Sequence, residues 1–320
     1  MALGSDPQAP FPVRRVDEVP PRSETRWLVD GLFAASSVGL IGGPPKAYKT
    51  WVAAELALAV AAGVPAFGRF AVPRAGTVLF FGAEDPPADL RARFEGIAHA
   101  RSVELRRAPL LLLDVAELRL DDSLQLGRLR RTVAAHKPAL LVLDPLVRIA
   151  RIDENSAQEV SALLGALRTL QRELAVAVLL VHHMRKSPAA HPGQQLRGSG
   201  DFSAWADSAL YLTRRGEDRL LVAEHRGAPA PEPFRVRLVP GDLPHLALQD
   251  GASSDEHVAD SLDARVLERL AFVAARPQST TALRDALHVR KSDLLAALRA
   301  LAARGAVLRT DQGWTLPNAV

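Results

Sequence analysis

The chain has 320 residues and not one cysteine. Disulfides, thiolate metal sites and cysteine nucleophiles are thereby excluded, and any chemistry falls to carboxylates, hydroxyls, histidines, lysines and arginines. No stretch approaches the roughly 18 to 20 apolar residues that span a bilayer, and the opening MALGSDPQAPFPVRR carries acid and proline where a secretory leader needs an apolar run. A cytoplasmic chain with no membrane partner is the expectation. Lysine is scarce too: only five of the 40 basic residues are lysine, and two of those five are Lys46 and Lys49. What is present is ordinary for a globular protein, with 48% hydrophobic and 24% charged residues, which excludes coiled coil and collagen and is enough for a real core. The net charge of +4 is uneven: after Leu262 nine basic residues face five acids, whereas before it the two signs are equal in number.

Residues 1–26 are rich in proline and charge and read as an arm. From Ser37 short apolar runs alternate with helical stretches. Val38–Ile41, Thr77–Phe81, Leu110–Leu113, Ala139–Leu143 and Val176–Val181 are the runs, and the helices fall at 50–62, 87–100, 124–136 and 157–173. That alternation predicts right-handed βαβ units and a mostly parallel sheet covered on both faces, an α/β fold. Asp85 before two prolines, and Ser156 with Glu159, look like helix caps. Met184–Gly200 reads as an exposed loop. Leu210–Thr213, Leu220–Glu224, Phe234–Leu238 and Leu246–Leu248 read as an antiparallel extension of the sheet. The first domain is therefore expected at 27–250, a linker at 251–261, and a second domain at 262–320 with three helices and a β-hairpin, the order of a winged helix-turn-helix.

The sharpest motif is GGPPKAYKT, residues 42–50, between an apolar strand and a helix. A phosphate-binding loop needs that placement, because backbone N–H groups and the helix N-terminus cradle the phosphates while a lysine and a hydroxyl complete the site. Gly43, Lys49 and Thr50 keep the spacing, with Pro44, Pro45, Lys46, Ala47 and Tyr48 between them and Trp51 next; the penultimate glycine is replaced by Tyr48. A tyrosine there is costly where the backbone needs positive φ. A turn that merely contains lysine is the plainer reading. LLVLDP ends a strand in Asp144, a position suited to Mg²⁺, and FFGAEDPP ends another at Glu84, which can orient and deprotonate a water. His182 and His183 end a third strand, and no further ligand at clear spacing joins them as a metal site.

Taken together, GGPPKAYKT, FFGAEDPP, LLVLDP, LLVHHMRK, LRGSGDF with WADSALYL, and EHRGAP resemble a RecA/DnaB-type P-loop ATPase, most closely the RepA-like hexameric ATPases related to plasmid replication helicases. The likeness runs from about Gly31 to Leu248. It implies a RecA-like ATPase domain in which Lys49 and Thr50 bind the phosphates of ATP and Mg²⁺, Asp144 serves the metal, Glu84 is the catalytic carboxylate and His183 senses the γ-phosphate. It further implies that Arg197 or Arg226 acts in trans as an arginine finger, though either can equally be a surface residue; Glu224 stands where DnaB-type helicases carry a lysine. Partners would be a homo-oligomer, a hexamer, single-stranded DNA in the ring channel, and a loader or primase. The channel loops would be Val147–Asn155, with Arg148 and Arg151, and Met184–Gly198, with Arg185 and Lys186. In the tail, Arg290, Lys291, Ser292, Arg299 and Arg309 could meet a duplex, or the same module could dock a protein. Two functions remain open: an ATP-driven motor on DNA, and a nucleotide-binding regulator or scaffold whose turnover Tyr48 has blunted.

Overall fold

A computed structural model of the protein describes residues 13–19, 25–153, 156–183, 201–249, 262–272, 277–287, 289 and 291–317. The chain separates into two compact units, Met1–Leu248 and Gln249–Val320. In the first, β1 (Trp27–Val29) and β2 (Phe33–Ala34) make a small antiparallel pair. The main sheet is built from β3 (Val38–Gly43), β4 (Val78–Gly82), β5 (Leu110–Leu112), β6 (Leu140–Asp144), β7 (Ala177–His183), β8 (Ser208–Arg215), β9 (Asp218–His225), β10 (Phe234–Val239) and β11 (His245–Gln249). Its spatial order is β11-β10-β9-β8-β3-β7-β6-β4-β5. The six strands from β8 to β5 in that order run parallel. Between them run helices α1 (Lys49–Ala62), α2 (Pro87–Ala100), α3 (Ser123–His136), the one-turn α4 (Leu146–Ile149), α5 (Ala157–Leu174) and α6 (Asp201–Trp205). This is the mostly parallel α/β sheet expected from the alternating pattern.

Physical causes are visible strand by strand. VGLIGG and LLVLD are buried at every position because apolar cores cover both faces of the sheet, which is why these runs are continuous rather than alternating. Helix α1, KTWVAAELALAVAA, is apolar around nearly its whole circumference, as suits a helix wrapped by protein. Its one buried acid, Glu55, accepts bonds from the Phe67 amide at 2.5 Å and from Arg101 at 2.7 Å. Burial raises the Glu55 carboxyl above its ordinary range, with the Arg101 bond pulling the other way.

Three expectations need correction. Leu210–Thr213 does not begin an antiparallel extension: β8 lies parallel to β3, and the reversal of direction comes only at β9 and β10. Its buried SALYL half is packed like a central strand, which explains the pairing. Asp85 does not cap α2; Pro86 holds that position and Asp85 instead pairs with Arg93 at 3.0 Å. Ser156 does cap α5, but Glu159 reaches the Asp153 amide, so the reciprocal half of the capping box is missing.

The second unit holds α7 (Leu262–Phe272), α8 (Thr280–Leu287), α9 (Lys291–Ala303) and an antiparallel pair, β12 (Leu308–Thr310) and β13 (Gly313–Thr315). Val266, Leu270, Leu283, Leu294, Leu298 and Trp314 form its core. Trp314 anchors the hairpin: its backbone pairs with Gln278 and its indole N–H donates to the Thr280 hydroxyl at 3.2 Å.

Gly39, in the central strand, leaves no room for a methyl group: a Cβ there would lie 2.3 Å from the Ser208 carbonyl oxygen and 2.5 Å from the Phe33 ring. Gly39→Ala should therefore destabilise the protein by about 1–3 kcal/mol or more, seen as a lower urea midpoint. Gly165→Ala, on α5 with open space around the added carbon, should be neutral or stabilising by about 0.5–1 kcal/mol. Equal midpoints for both variants would contradict this packing.

Candidate functional site

The carboxyl ends of β3, β4, β6 and β7 lie side by side, and GGPPKAYKT, FFGAEDPP, LLVLDP and the VHH of LLVHHMRK leave the sheet there. From Gly43 the chain turns through Pro44, Pro45, Lys46, Ala47 and Tyr48 into α1. Lys46 and Tyr48 adopt left-handed backbone, φ 61° and 66°. Glycine takes that conformation freely; an L-residue with a side chain gives up roughly 1–2 kcal/mol. Tyr48 is not left to hold it alone. The guanidinium of Arg219 sits over its ring at 4.3 Å and donates to the Lys46 carbonyl at 3.5 Å. No side chain caps α1, so its leading N–H groups are left to an anion or to water.

Lys49 is only 6% exposed and donates from Nζ to the Pro44 carbonyl at 2.9 Å. Burial pulls its pKa down, while the nearby carboxylates of Asp144 and Glu84 push it back up. Asp144, at the end of β6, is 4% exposed. Burial pushes its carboxyl up to about 7; the Thr50 hydroxyl bond opposes this, Asp85 and Glu84 add to it, and Lys49 opposes it again. One oxygen of Asp144, Oδ2, is buried without a hydrogen-bond partner. A buried, unsatisfied carboxylate oxygen beside a threonine hydroxyl is a hard-oxygen donor pair that fits a magnesium ion.

Glu84 follows β4, half exposed, and faces Arg148 of α4 at 3.4 Å. Asp85 holds Arg93, whose guanidinium lies 4.6 Å from the Trp51 ring. His183 ends β7 at the same edge, while His182 is buried and stacks on Phe202 at 4.3 Å. Lys46 to Trp51, Glu84, Asp85, Arg93, Asp144 and His183 line one cleft of about 320 Å³. A larger hollow of about 630 Å³, lined by Trp27, Lys137 and Ala175 among others, lies at the opposite edge, where the strands begin. Volume favours that hollow, but convergence of lysine, hydroxyl and carboxylates favours the cleft, and chemistry decides.

The remaining expected residues are not in the cleft. Arg226 is at the far edge: His225 pairs with Ser208, Ser208 with Gly39 at the start of β3, and the Arg226 amide bonds the Asp207 carbonyl. With about 3.3 Å per strand residue, the length of β3 separates it from the phosphate loop of its own chain. Its guanidinium bonds the Ala204 carbonyl and lies 3.7 Å from Asp207. Arg197, Arg185, Lys186 and the rest of the Met184–Gly198 loop lie outside the described residues, as does Arg290. Arg148 and Arg151, expected on a channel loop, contact Glu84 and Glu117. Arg219 was not singled out by any motif: it lies 171 positions from Tyr48, and only the oddity of a tyrosine in a glycine position hinted that something must support it.

A family profile described as an AAA domain matches residues 5–189. Among solved structures, a DnaB-like replicative helicase, described with its interactions with primase, is similar with 15% identity and a TM-score of 0.52 over 66% of this chain and 57% of that one. The chain thus spans little more than half of that helicase. The RadB recombinase is 19% identical with a TM-score of 0.48, over 65% of this chain and 89% of that one. A KaiC-like protein from Pyrococcus horikoshii OT3 is 19% identical with a TM-score of 0.44, over 74% and 100%. At 15% identity the likeness to the helicase is one of fold. No helix among the described residues is long and apolar enough to cross a membrane.

The raised pKa of Asp144 has a testable sign. A buried carboxyl that titrates at about 7 in the fold and at 3.8 when unfolded binds more protons in the native state between those values. Without divalent cation, its contribution to stability should be fully present below about pH 4 and lost as pH rises through about 7, by at most about 4 kcal/mol. Unfolding free energies from pH 4 to 8 for wild type and Asp144→Asn should diverge across that window; parallel curves would mean that Asp144 ionises freely.

Proposed function

We propose, for a chain that belongs to the AAA-domain family and carries a RecA-like P-loop fold, that it is an ATP hydrolase which assembles as a ring, a hexamer, and acts on DNA as a helicase or translocase. The observation that carries this reading is the convergence of Lys49, Thr50, Asp144, Glu84 and His183 on one cleft at the carboxyl edge of the sheet.

In this reading the N–H groups of Gly43, of Lys46 to Tyr48 and of the first turn of α1 surround the ATP phosphates, Pro44 and Pro45 having none to offer, and Lys49 exchanges the Pro44 carbonyl for a phosphate oxygen. Thr50 and Asp144 hold Mg²⁺, which when bound neutralises phosphate charge. Glu84 takes a proton from the attacking water, the new P–O bond forms at the γ-phosphorus, and the bond to the bridging oxygen breaks to give ADP and phosphate. His183 faces the γ-phosphate end. Arg226 lies an entire strand away from its own loop, so it can serve only the nucleotide of another copy; Arg197 is the alternative finger. A guanidinium supplied in trans couples hydrolysis to assembly.

DNA contact is assigned to Val147–Asn155 and Met184–Gly198 in the channel, with the 262–320 unit as a winged helix that meets duplex DNA or a protein through Arg290, Lys291, Ser292, Arg299 and Arg309. A loader or primase would bring such a ring to its substrate. The second reading, a nucleotide-binding regulator or scaffold with weak turnover, is favoured by one specific pair of observations: the left-handed Tyr48 and the engagement of Glu84 by Arg148.

Hydrolysis measured against protein concentration, with and without single-stranded DNA, separates the two. A motor should show activity that rises more steeply than concentration and is stimulated by DNA, and Lys49→Ala and Arg226→Ala should each lose on the order of 10³-fold. Tight nucleotide binding with no hydrolysis under any of these conditions would instead establish the regulator.

A further inference from the structure

The phosphate loop contains a structural problem that a glycine-bearing loop does not have, and the molecule holds a residue placed to solve it. Tyr48 stands at φ 66° and Lys46 at φ 61°, two L-residues in the left-handed region on either side of Ala47. Facing them is Arg219, at the start of β9. It lies near the phosphate end of the sheet because the register carries β9 past the end of β3: Gly42 pairs with Tyr211, Tyr211 with Val222, and Arg219 with Arg214 further along.

Three observations single out Arg219. It is 5% exposed, although the other basic residues described mostly face water. Its guanidinium covers the Tyr48 ring with its carbon 4.3 Å from the ring centroid. Its hydrogen bonds go to backbone carbonyls alone, from Nη1 to those of Glu217 at 3.1 Å and Asp218 at 2.8 Å and from Nη2 to that of Lys46 at 3.5 Å, while Nε is buried without a partner. Among the described residues no carboxylate stands within ion-pair distance of it, since the adjacent Asp218 pairs with Arg237 at 2.5 Å. A guanidinium that is buried without a counter-ion, fixed by carbonyls at its base and placed over one ring, is poorly explained as a salt-bridge or solubility residue. It is well explained as a clamp, because cation–π attraction to a ring strengthens as the partners leave water, and here Arg219 is buried and Tyr48 half-buried.

We propose that Arg219 is a positioning residue of the phosphate loop: by stacking on Tyr48 and bonding the Lys46 carbonyl it holds the left-handed backbone in the shape that receives phosphates, so that the Tyr48–Arg219 pair does the work that glycine does elsewhere. Arg219 need not touch the nucleotide for this. Its effect passes chiefly through Tyr48, since its bond to the Lys46 carbonyl is long at 3.5 Å. The inference rests on the reading of residues 43–50 as the phosphate site.

A four-variant cycle tests it, with Mg-ATP affinity by titration, KM and kcat for hydrolysis, and thermal unfolding measured on the full chain. In the tyrosine background, Arg219→Ala should weaken ATP binding and raise KM by about tenfold, which is about 1.4 kcal/mol, with kcat within about twofold. Tyr48→Gly alone should bind ATP at least as well as wild type. In the Tyr48→Gly background, adding Arg219→Ala should change affinity by less than about twofold. An equal loss in both backgrounds, or no loss in the tyrosine background, overturns the proposal. If Arg219→Ala does not fold, recovery of folding and ATP binding in Tyr48→Gly/Arg219→Ala supports the clamp, and failure of the double variant to fold overturns it. Lys49→Ala separates this from the underlying reading: wild-type ATP binding by Lys49→Ala removes the phosphate site itself, whereas lost binding there with unchanged binding by Arg219→Ala removes only the clamp.

Discussion

A lysine ammonium and an aspartate carboxylate, each almost shut off from water, share the head of α1 and the end of β6. Neither charge is tolerable in that place alone: burial lowers the pKa of Lys49 and raises that of Asp144 to about 7, and each is drawn part of the way back by the other. The rest of the edge is arranged around this tension. Lys49 borrows a carbonyl from Pro44, Asp144 accepts from Thr50 and keeps one oxygen unsatisfied, and Glu84 sits close enough to add its charge to both. A site so strained in charge, with unclaimed amides at a helix start, is complementary to a polyanion accompanied by a divalent cation. The apolar strands and the fully packed α1 hold those groups still enough for the complementarity to matter.

Most of this edge was legible in the residues themselves. Continuous apolar runs marked buried parallel strands, and the chemistry-bearing residues at their carboxyl ends, Lys49, Thr50, Glu84, Asp144 and His183, were visible because strand ends in α/β sheets converge by topology. What could not be read there depends on contacts distant in sequence. The parallel pairing of β8 with β3 comes from burial on both faces, which the four-residue run Leu210–Thr213 does not distinguish from an antiparallel edge. The ion pairs of Asp85 with Arg93 and Glu84 with Arg148 had no motif to announce them, and the first displaced an expected helix cap. Arg219 was hidden for the same reason: only the third dimension brings it to Tyr48.

The two edges of the sheet divide the labour. The carboxyl edge gathers phosphate-binding chemistry, whereas Arg226 is carried to the opposite edge by the antiparallel return of β9, where Asp207 and the Ala204 carbonyl hold it. Asp207 is itself committed: it pairs with Arg168 at 2.5 Å and accepts from the Val38 amide at the root of the central strand. Arg226 therefore shares a carboxylate whose main duties lie elsewhere, a weak hold that a stronger anion can break. Arg226 is thus held at the edge remote from its own cleft, out of reach of the phosphate loop of its own chain.

The most direct measurement is a structure of the protein with Mg²⁺ and a slowly hydrolysed ATP analogue. The account predicts the phosphates over the N–H groups of Gly43 and of Lys46 to Thr50, with Lys49 turned away from the Pro44 carbonyl and Arg226 of a second copy approaching the terminal phosphate. An analogue bound in the large hollow at the opposite edge of the sheet, or seated in the cleft with no second copy against it, would contradict it.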